Sequence, residues 1–431
     1  MTSFREITVG PANADIVGTD DRAIQTALDT LAHRGGGTVH VAPGTYTLRG
    51  PVRLRSNVAL VGTPGETTLK LAPVVTHPLA ADADIGQHTI TPVSTDGLQV
   101  GSGIILRDRA KRAGNASMPL TVVDIVDGTL HVDDYIVNDW IAENGAVVVS
   151  YFPLVHGFEV ENALVEGLIL DGQPDNTEAM SFDGQILWGG CIYMRRGVNC
   201  TLRNVVARNC YGDGIRFGQS RGILVEHCEA HDNKHYGVHP GSHSPQTTVR
   251  HCHIHHNGSD GLYLCWGVHH GEFTDNDIHH NGGRIHRNGI SIGHKDTDNL
   301  LARNHVHENT KHGVCFRIKT DANGAHRNVL RENLIENNGS PEADVPAALA
   351  ADPRNEVLMA GVHIRGVTHD LTFERNIIRE TRPAGQQYQH NAFYLAADVS
   401  RVKLVDNDVS DHPGGKVDDQ SGDPSNDLGG V

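Results

Sequence analysis

Long apolar runs are missing from this 431-residue chain. No stretch approaches the roughly 18 uninterrupted apolar residues of a membrane-crossing helix, so no membrane partner is expected. Aromatic residues are scarce, at 5%, and 48 glycines with an apolar fraction of only 38% suit one elongated β-rich body better than several compact α/β domains. Met1 to Gly10 lacks the basic start and apolar run of a secretion signal. A cytoplasmic location is the first expectation, with secretion behind a leader outside this sequence as the alternative. Seven cysteines are few and odd in number, which argues against a disulfide frame. Basic charge is also in deficit: 36 Lys and Arg against 52 Asp and Glu give a net charge of −16, which argues against a nucleic-acid partner. The deficit is uneven. Between Gly189 and Thr320, 15 Lys and Arg meet 11 Asp and Glu, and the same stretch holds 18 of the 29 His. A locally basic, His-rich face is what a site for carboxylated ligands needs.

That stretch also repeats itself. Glycine recurs at Gly214, Gly237, Gly261, Gly289 and Gly313, each followed by an apolar, variable, apolar triplet: IRF, VHP, LYL, ISI and VCF, with Pro240 the one break. Asn209, Asn233, Asn257, Asn281 and Asn309 form a second register, three of them four residues before the repeat glycine. Repeats of this length mark a solenoid whose units bury their apolar faces only by stacking. The segments between turns are short and alternating, as in Cys252-His-Ile-His, and are bounded by Asn, Asp and Gly, which is strand and turn patterning. The expected fold is all-β, a parallel β-helix with three short strands per coil. Ile, Val, Leu and Phe stack inward, and the Asn at each turn bonds backbone groups of the next rung. Cys228 and Cys252 occupy equivalent points of successive coils, so they are expected as buried free thiols.

Along the chain, Thr19 to His33 places a capping group before apolar residues at Ile24, Ala27, Leu28 and Leu31, the spacing of a helix. Residues 1–77 are expected to hold this amino-terminal segment and the first coils. From 78 to 150 alternation persists without the coil period, which predicts a small β insertion or lid. The main solenoid is expected over 151–412, with a loop from Ser340 to Pro353 inserted before Gly361. Residues 413–431, rich in Gly, Asp, Ser and Pro, read as a flexible tail. No capping helix is evident at that end, and a neighbouring subunit is one way to cover it, so a homo-oligomer stays open.

Alternation turns the middle residue of each triplet outward. Arg216, His239, Tyr263, Ser291, Cys315, His363 and Tyr394 therefore stack as a column, with Arg317 and Arg365 two residues further on. Rungs about 4.8 Å apart would make this column a long groove. Trp266 offers an indole for stacking on a ring. The turn after Gly293 concentrates His294, Lys295, Asp296 and Asp298, which supply a base, a carboxylate partner or a cation site. His231, His255, His279 and His307 form an outward ladder on another strand, beside Glu229, His253, Asp277 and His305. Imidazoles at this spacing suit zinc or nickel, but a single straight ladder does not give tetrahedral geometry, and no metal is assigned there.

The start of the chain, with Asp20-Asp-Arg-Ala-Ile-Gln25, Gly35 to Gly37 and Val41-Ala-Pro-Gly-Thr-Tyr46, resembles the amino-terminal cap and first coil of the pectate-lyase-like right-handed parallel β-helix superfamily. That superfamily spans polysaccharide lyases, polygalacturonase-type hydrolases, mannuronan C5-epimerases and phage tailspikes, so the motif speaks to fold more than to chemistry. Tyr236-Gly-Val-His-Pro-Gly-Ser-His243, with Arg287 before a repeat glycine two coils on, is similar to the Tyr-Gly-Phe-Asp-Pro-His stretch and its arginine in mannuronan C5-epimerases. The resemblance implies Tyr236 as an acid or base at the sugar C5 and Arg287 as the partner of the substrate carboxylate. His239 stands where that stretch has Asp, and Gly241 where it has His, so His239 or His243 takes the base role. The expected activity is proton abstraction from a uronate in a polysaccharide or oligosaccharide, as a lyase or C5-epimerase. Tyr236, His239, Arg287, His243, His294 and Lys295 are the catalytic candidates. Arg216, Tyr263, Trp266, Asp296, Arg317, His363 and Arg365 are the substrate-binding ones. No cofactor is required, and a divalent cation such as calcium is the one left open. A hydrolase or transglycosylase needs two carboxylates about 5 to 9.5 Å apart; Asp213, Asp260, Asp296 and Asp298 are scattered, so this is the second reading. A noncatalytic glycan-binding or tailspike-like protein is the third.

Overall fold

The structure, a computed structural model, describes residues 5–108, 119–173, 175–176, 189–341, 359–410 and 412–431. Most of the expected Ser340 to Pro353 loop lies outside these residues. The chain divides into two units, residues 1–193 with 205–213 and residues 194–204 with 214–431. No helix among the described residues is long and apolar enough to cross a membrane.

In the first unit an α-helix, Asp21–His33, begins at Asp20, whose side chain accepts the Ala23 N–H at 3.0 Å. Its buried face, Ala23, Ile24, Ala27, Leu28 and Leu31, packs on the neighbouring strands Gly37–Val41 and Glu6–Gly10. Those two strands pair in parallel, and Val58–Val61 and Leu164–Glu166 extend the same sheet. Gly44–Leu48, Thr67–Leu71, Ile169–Asp171 and Val206–Arg208 form a second parallel sheet. Between them in sequence lies a six-stranded antiparallel sheet spanning Thr76–Pro78 to Val147–Val149. It has its own core around Ile104, Leu106, Leu130, Trp140 and Val148, which is why the coil period disappears there.

The second unit is a parallel β-helix. One sheet, the triplet sheet, carries Val238–Gly241, Leu262–Tyr263, Ile290–Ile292, Val314–Phe316, Ala360–Ile364 and Asn391–Leu395 in register. A second, the histidine sheet, stacks Glu229–His231, His253–His255, Asp277–His279, His305–His307 and Leu334–Glu336. The third carries Leu224–Glu226, Thr248–Arg250, Glu272–Thr274 and Leu300–Ala302. In the histidine sheet each three-residue strand buries only its middle side chain, which gives the inward stack Ala230, Ile254, Ile278, Val306 and Ile335. All seven cysteines are unpaired, and Cys228 and Cys252 are buried as the repeat implies.

The two sequence registers turn out to be one interaction. Asn233 Nδ2 donates to Asn257 Oδ1 at 2.9 Å, and the pattern continues through Asn281, Asn309 and Asn338 to Gln389. Each amide oxygen also accepts a backbone N–H from the rung before, as Asn281 Oδ1 does from Asn257 N at 3.2 Å. The column ends on an imidazole: Gln389 Nε2 lies 3.0 Å from His412 Nε2, while His412 Nδ1 faces the Ser410 carbonyl at 2.8 Å. The repeat glycines make room for this column. A Cβ on Gly237 would sit 2.7 Å from Asn257 Nδ2, and one on Gly261 2.7 Å from Asn281 Nδ2. A second buried column, Asn276, Asn304, Asn333, Asn376 and Asn407, runs the same way at another corner.

The carboxyl end differs from the flexible tail its composition suggests. Val417–Asp419 joins the triplet sheet beside Asn391–Leu395, and Asp427 and Gly430 bond the strand Ser400–Val405 and its following turn. The polar residues serve this rung's own turns, since Ser421 and Ser425 donate to Asp419 and Asp423.

Gly261→Ala is expected to destabilise the protein by about 1–3 kcal/mol through overpacking against Asn281 and the Gly289 carbonyl. A Cβ on Gly283 meets nothing within 4 Å, so Gly283→Ala should stay within about 0.5 kcal/mol of wild type. Urea unfolding of the two variants checks the contrast.

Candidate active site

Four rungs of the triplet sheet bring an aromatic and charged cluster together. Tyr236 precedes Val238, and its ring stacks on Tyr263 of the next rung at 3.9 Å between centroids and 8° between planes. His239 meets both rings edge-on, at 4.9 Å from Tyr236 and 5.1 Å from Tyr263. Arg317, two rungs beyond Tyr263, reaches back to place its guanidinium 4.2 Å from the centre of that ring. Its Nη2 donates to the Leu264 carbonyl at 2.5 Å and lies 3.4 Å from Asp296 Oδ2. Burial alone would push the Arg317 guanidinium down, but Tyr263, Cys265 and Asp296 around it push it up, so it stays charged. Burial holds the Tyr263 phenol well above its ordinary value, against the pull of Arg317. Tyr263 is therefore a proton donor rather than a phenolate near neutral pH.

The cluster extends to the turn after Gly293. Cys265 Sγ lies 3.4 Å from His294 Nδ1, and burial pushes its thiol up to about 11. Burial, with Lys319 and Arg317 nearby, brings the His294 imidazole down to about 4, so it is a neutral base at pH 7. Trp266 is 63% exposed beside it, with centroids 5.5 Å apart, and is free to stack on a ring.

The remaining predicted residues are distributed as follows. Arg216 pairs in register with His239, one rung earlier. Arg287 is exposed, and its carbonyl accepts Lys311 N at 3.1 Å. Bonds from Ser259 N to His235 O and from Lys311 N to Arg287 O, with the register of Leu262 on Ile290, put Arg287 two rungs along and one residue off Tyr236. That is about 10 Å of backbone separation. His243 and Lys295 are exposed turn residues with left-handed backbone, φ 63° and 65°. Lys295 N donates to Asn323 O at 2.9 Å, and the His243 ring lies 5.3 Å from His269.

Three expectations need correction. Asp296 is not a substrate contact: it is fully buried, taking the Val268 and Gly293 N–H groups at 2.9 and 2.8 Å as well as Arg317. His363 does not face the groove, because it is 1% exposed and its Nδ1 lies 3.0 Å from His312 Nε2. Ser291 and Cys315 are likewise covered, Ser291 by Asp260 and Asn288, and Cys315 by Arg365, whose Nη2 donates to its sulfur at 3.2 Å. Neighbouring rungs close over these outward positions, so the column is a mostly covered polar seam. Asp260, Asn288, His235 and Lys319 belong to the cluster as well. The repeat signals Asp260 and Asn288, since Tyr236, Asp260, Asn288 and His312 share one position before successive triplets.

On the histidine sheet, every outward position of four consecutive rungs carries His, Asp or Glu. Two columns lie on the strands, Glu229, His253, Asp277 and His305 beside His231, His255, His279 and His307. A third, Asp232, His256, His280 and Glu308, sits at the corner with φ of 51° to 54°. Rings in the second column stack at 4.8 to 5.1 Å.

Residues 190–345 match the family described as the right handed beta helix region, and residues 4–103 match the rhamnogalacturonase A/epimerase, pectate lyase-like family. With the sheets described above, these matches show the right-handed parallel β-helix fold and support its pectate-lyase-like superfamily. The chain is 23% identical over 313 residues to the mannuronan C5-epimerase AlgE5 of Azotobacter vinelandii, which covers 71% of this chain and 22% of that protein. It thus spans about a fifth of the length of the curated relatives it matches. The A-module of mannuronan C-5 epimerase AlgE4 from the same organism superposes with a TM-score of 0.58 at 16% identity, covering 95% of this chain and 97% of the module. A solved glycoside hydrolase superposes with a TM-score of 0.51 at 11% identity, covering 98% and 96%.

Several imidazoles are held below the ordinary histidine value, chiefly by burial: His156, His286 and His294 at about 4, and His312 likewise well below it. Unfolding frees them to bind protons at about pH 6.5, so the unfolded chain carries more protons between pH 6.5 and 4. Stability should fall as pH drops through that window. Urea midpoints at pH 7, 6 and 5 measure the slope, and His294→Gln should reduce it.

Proposed function

We propose that this chain is a carbohydrate-active enzyme that removes the C5 proton of a uronate residue in a polysaccharide or oligosaccharide. The observation that carries this reading is the contact of Tyr236 and Tyr263 with His239 against the charged Arg317. Removing a proton alpha to a carboxylate calls for a base, a proton donor and a cation that offsets the developing charge. In this reading His239 is the base and Tyr236 the donor. Tyr263 and Arg317 hold the Tyr236 ring in place, and Arg287, exposed two rungs along, pairs with the substrate carboxylate. His294 and Trp266 line the next sugar position, the indole stacking on its face. The mannuronan C5-epimerase relatives support the substrate class.

The intermediate has two fates. Return of a proton to C5 from the other face gives an epimerase, and loss of the 4-oxygen gives a lyase. Elimination suits a wall whose imidazole and phenols sit on one side of the sugar. A hydrolase is less favoured because the two buried carboxylates of the cluster are occupied: Asp260 accepts from Ser291 and Asn288, and Asp296 from two amides and Arg317. The same saturation leaves no oxygen cage for calcium among the described residues of this cluster.

A panel of uronate and neutral polysaccharides in deuterated buffer tests the proposal. Deuterium at C5 without chain cleavage marks an epimerase, a new conjugated double bond marks a lyase, and reducing ends without one would replace this reading with a hydrolase. On the active polymer, Tyr236→Phe should lower turnover by about 100-fold or more. Arg287→Ala should raise KM steeply on uronates, and unchanged kinetics in both variants would remove the roles assigned to them.

A further inference from the structure

The two strand columns of the histidine sheet do what a single ladder cannot. Residues at the first and third positions of one strand, and their counterparts on the rungs above and below, converge diagonally. His253 Nε2 lies 2.7 Å from His279 Nε2 on the next rung and 3.7 Å from Asp277 Oδ2. Asp277 Oδ1 lies 3.0 Å from His307 Nε2 on the rung after. The ligand atoms of Asp277, His279 and His307 all lie within 4.8 Å of one another, as do those of His253, His255 and His279. Asp277 and His279 thus form a middle rung, with His253 reaching down from one side and His307 reaching up from the other.

We propose that His253, Asp277, His279 and His307 form a binding site for a first-row divalent ion of the zinc class, separate from the aromatic cluster on the triplet sheet. Three imidazoles and one carboxylate suit zinc or nickel, whereas calcium takes six to eight oxygens. Nitrogens bound to a tetrahedral ion at about 2.0–2.1 Å lie roughly 3.3 Å apart, close to the 2.7 and 3.0 Å separations present before any adjustment. All four side chains are half-buried, so small rotations suffice and the core need not move. The third sheet shows the contrasting solution for an outward column. There Arg203 and Arg250 close on Glu226 as fixed ion pairs. An ion in the histidine site ties three successive rungs together.

The test is equilibrium dialysis of the chelator-stripped full-length chain against zinc chloride, with calcium chloride as the contrast. One zinc per chain at low micromolar free metal is expected, with a rise in unfolding temperature and no response to calcium. His279→Gln should weaken zinc binding at least tenfold and abolish the thermal shift, whereas His227→Gln, on a stacked pair with His251 elsewhere, should change neither. His307→Gln repeats the test if the first variant unfolds without metal. Binding only at millimolar zinc, equal calcium binding, or unchanged zinc affinity in the folded His279 and His307 variants would overturn the site.

Discussion

The second unit depends on one contact repeated at every coil: an asparagine amide that donates to the asparagine of the next rung, over a glycine that has no side chain to obstruct it. The amide satisfies itself, its successor and a backbone N–H at a corner that water does not reach. The neighbouring glycine is therefore not needed for an unusual backbone angle. It is needed because a methyl group there would occupy the space of the amide nitrogen. Parallel strands of three residues gain few hydrogen bonds each, and a continuous polar column at the corner keeps successive coils in register.

Register in turn makes the surface. Once coils are locked at a fixed offset, a residue type that recurs along the sequence becomes a column in space. On the triplet sheet the column mixes aromatic rings, imidazole and guanidinium, and adjacent rungs fold over most of them. Burial and neighbouring charge then set protonation: Arg317 stays charged beside Tyr263, Cys265 and Asp296, burial keeps the proton on Tyr263 against the pull of Arg317, and burial with Lys319 and Arg317 nearby leaves His294 neutral. On the histidine sheet the same rule gives a two-dimensional grid of imidazole and carboxylate.

The coil architecture was legible in the sequence because glycine and asparagine recur at almost constant spacing, and the capping helix because Asp20 stands before a helical apolar stripe. The second asparagine column was not legible: its members are 28, 29, 43 and 31 residues apart, since loops of different length intervene between equivalent corners. Alternation identified which side chains leave the core. It did not show which would be covered, and Ser291, Cys315 and His363 were misplaced for that reason, while Asp296 was misplaced because a charged turn reads as exposed. The tail deceived in the opposite sense, because Asp, Ser and Gly that look disordered by composition are also the residues that tie tight turns. Arg317 was found by its column, but its reach back across two rungs to Tyr263 is a side-chain conformation that no spacing encodes.

The asparagine column has a polarity, since every amide points its NH₂ toward the next rung, and at the far end the final NH₂ meets an imidazole. His412 fits there only as the tautomer with a bare Nε2, its proton held on Nδ1 by the Ser410 carbonyl. A second proton on that ring would set N–H against N–H at the terminus of an otherwise uninterrupted relay. This column of neutral dipoles is thus anchored at its far end to one imidazole, so the direction in which every amide of the stack points is matched to the tautomer of a single ring.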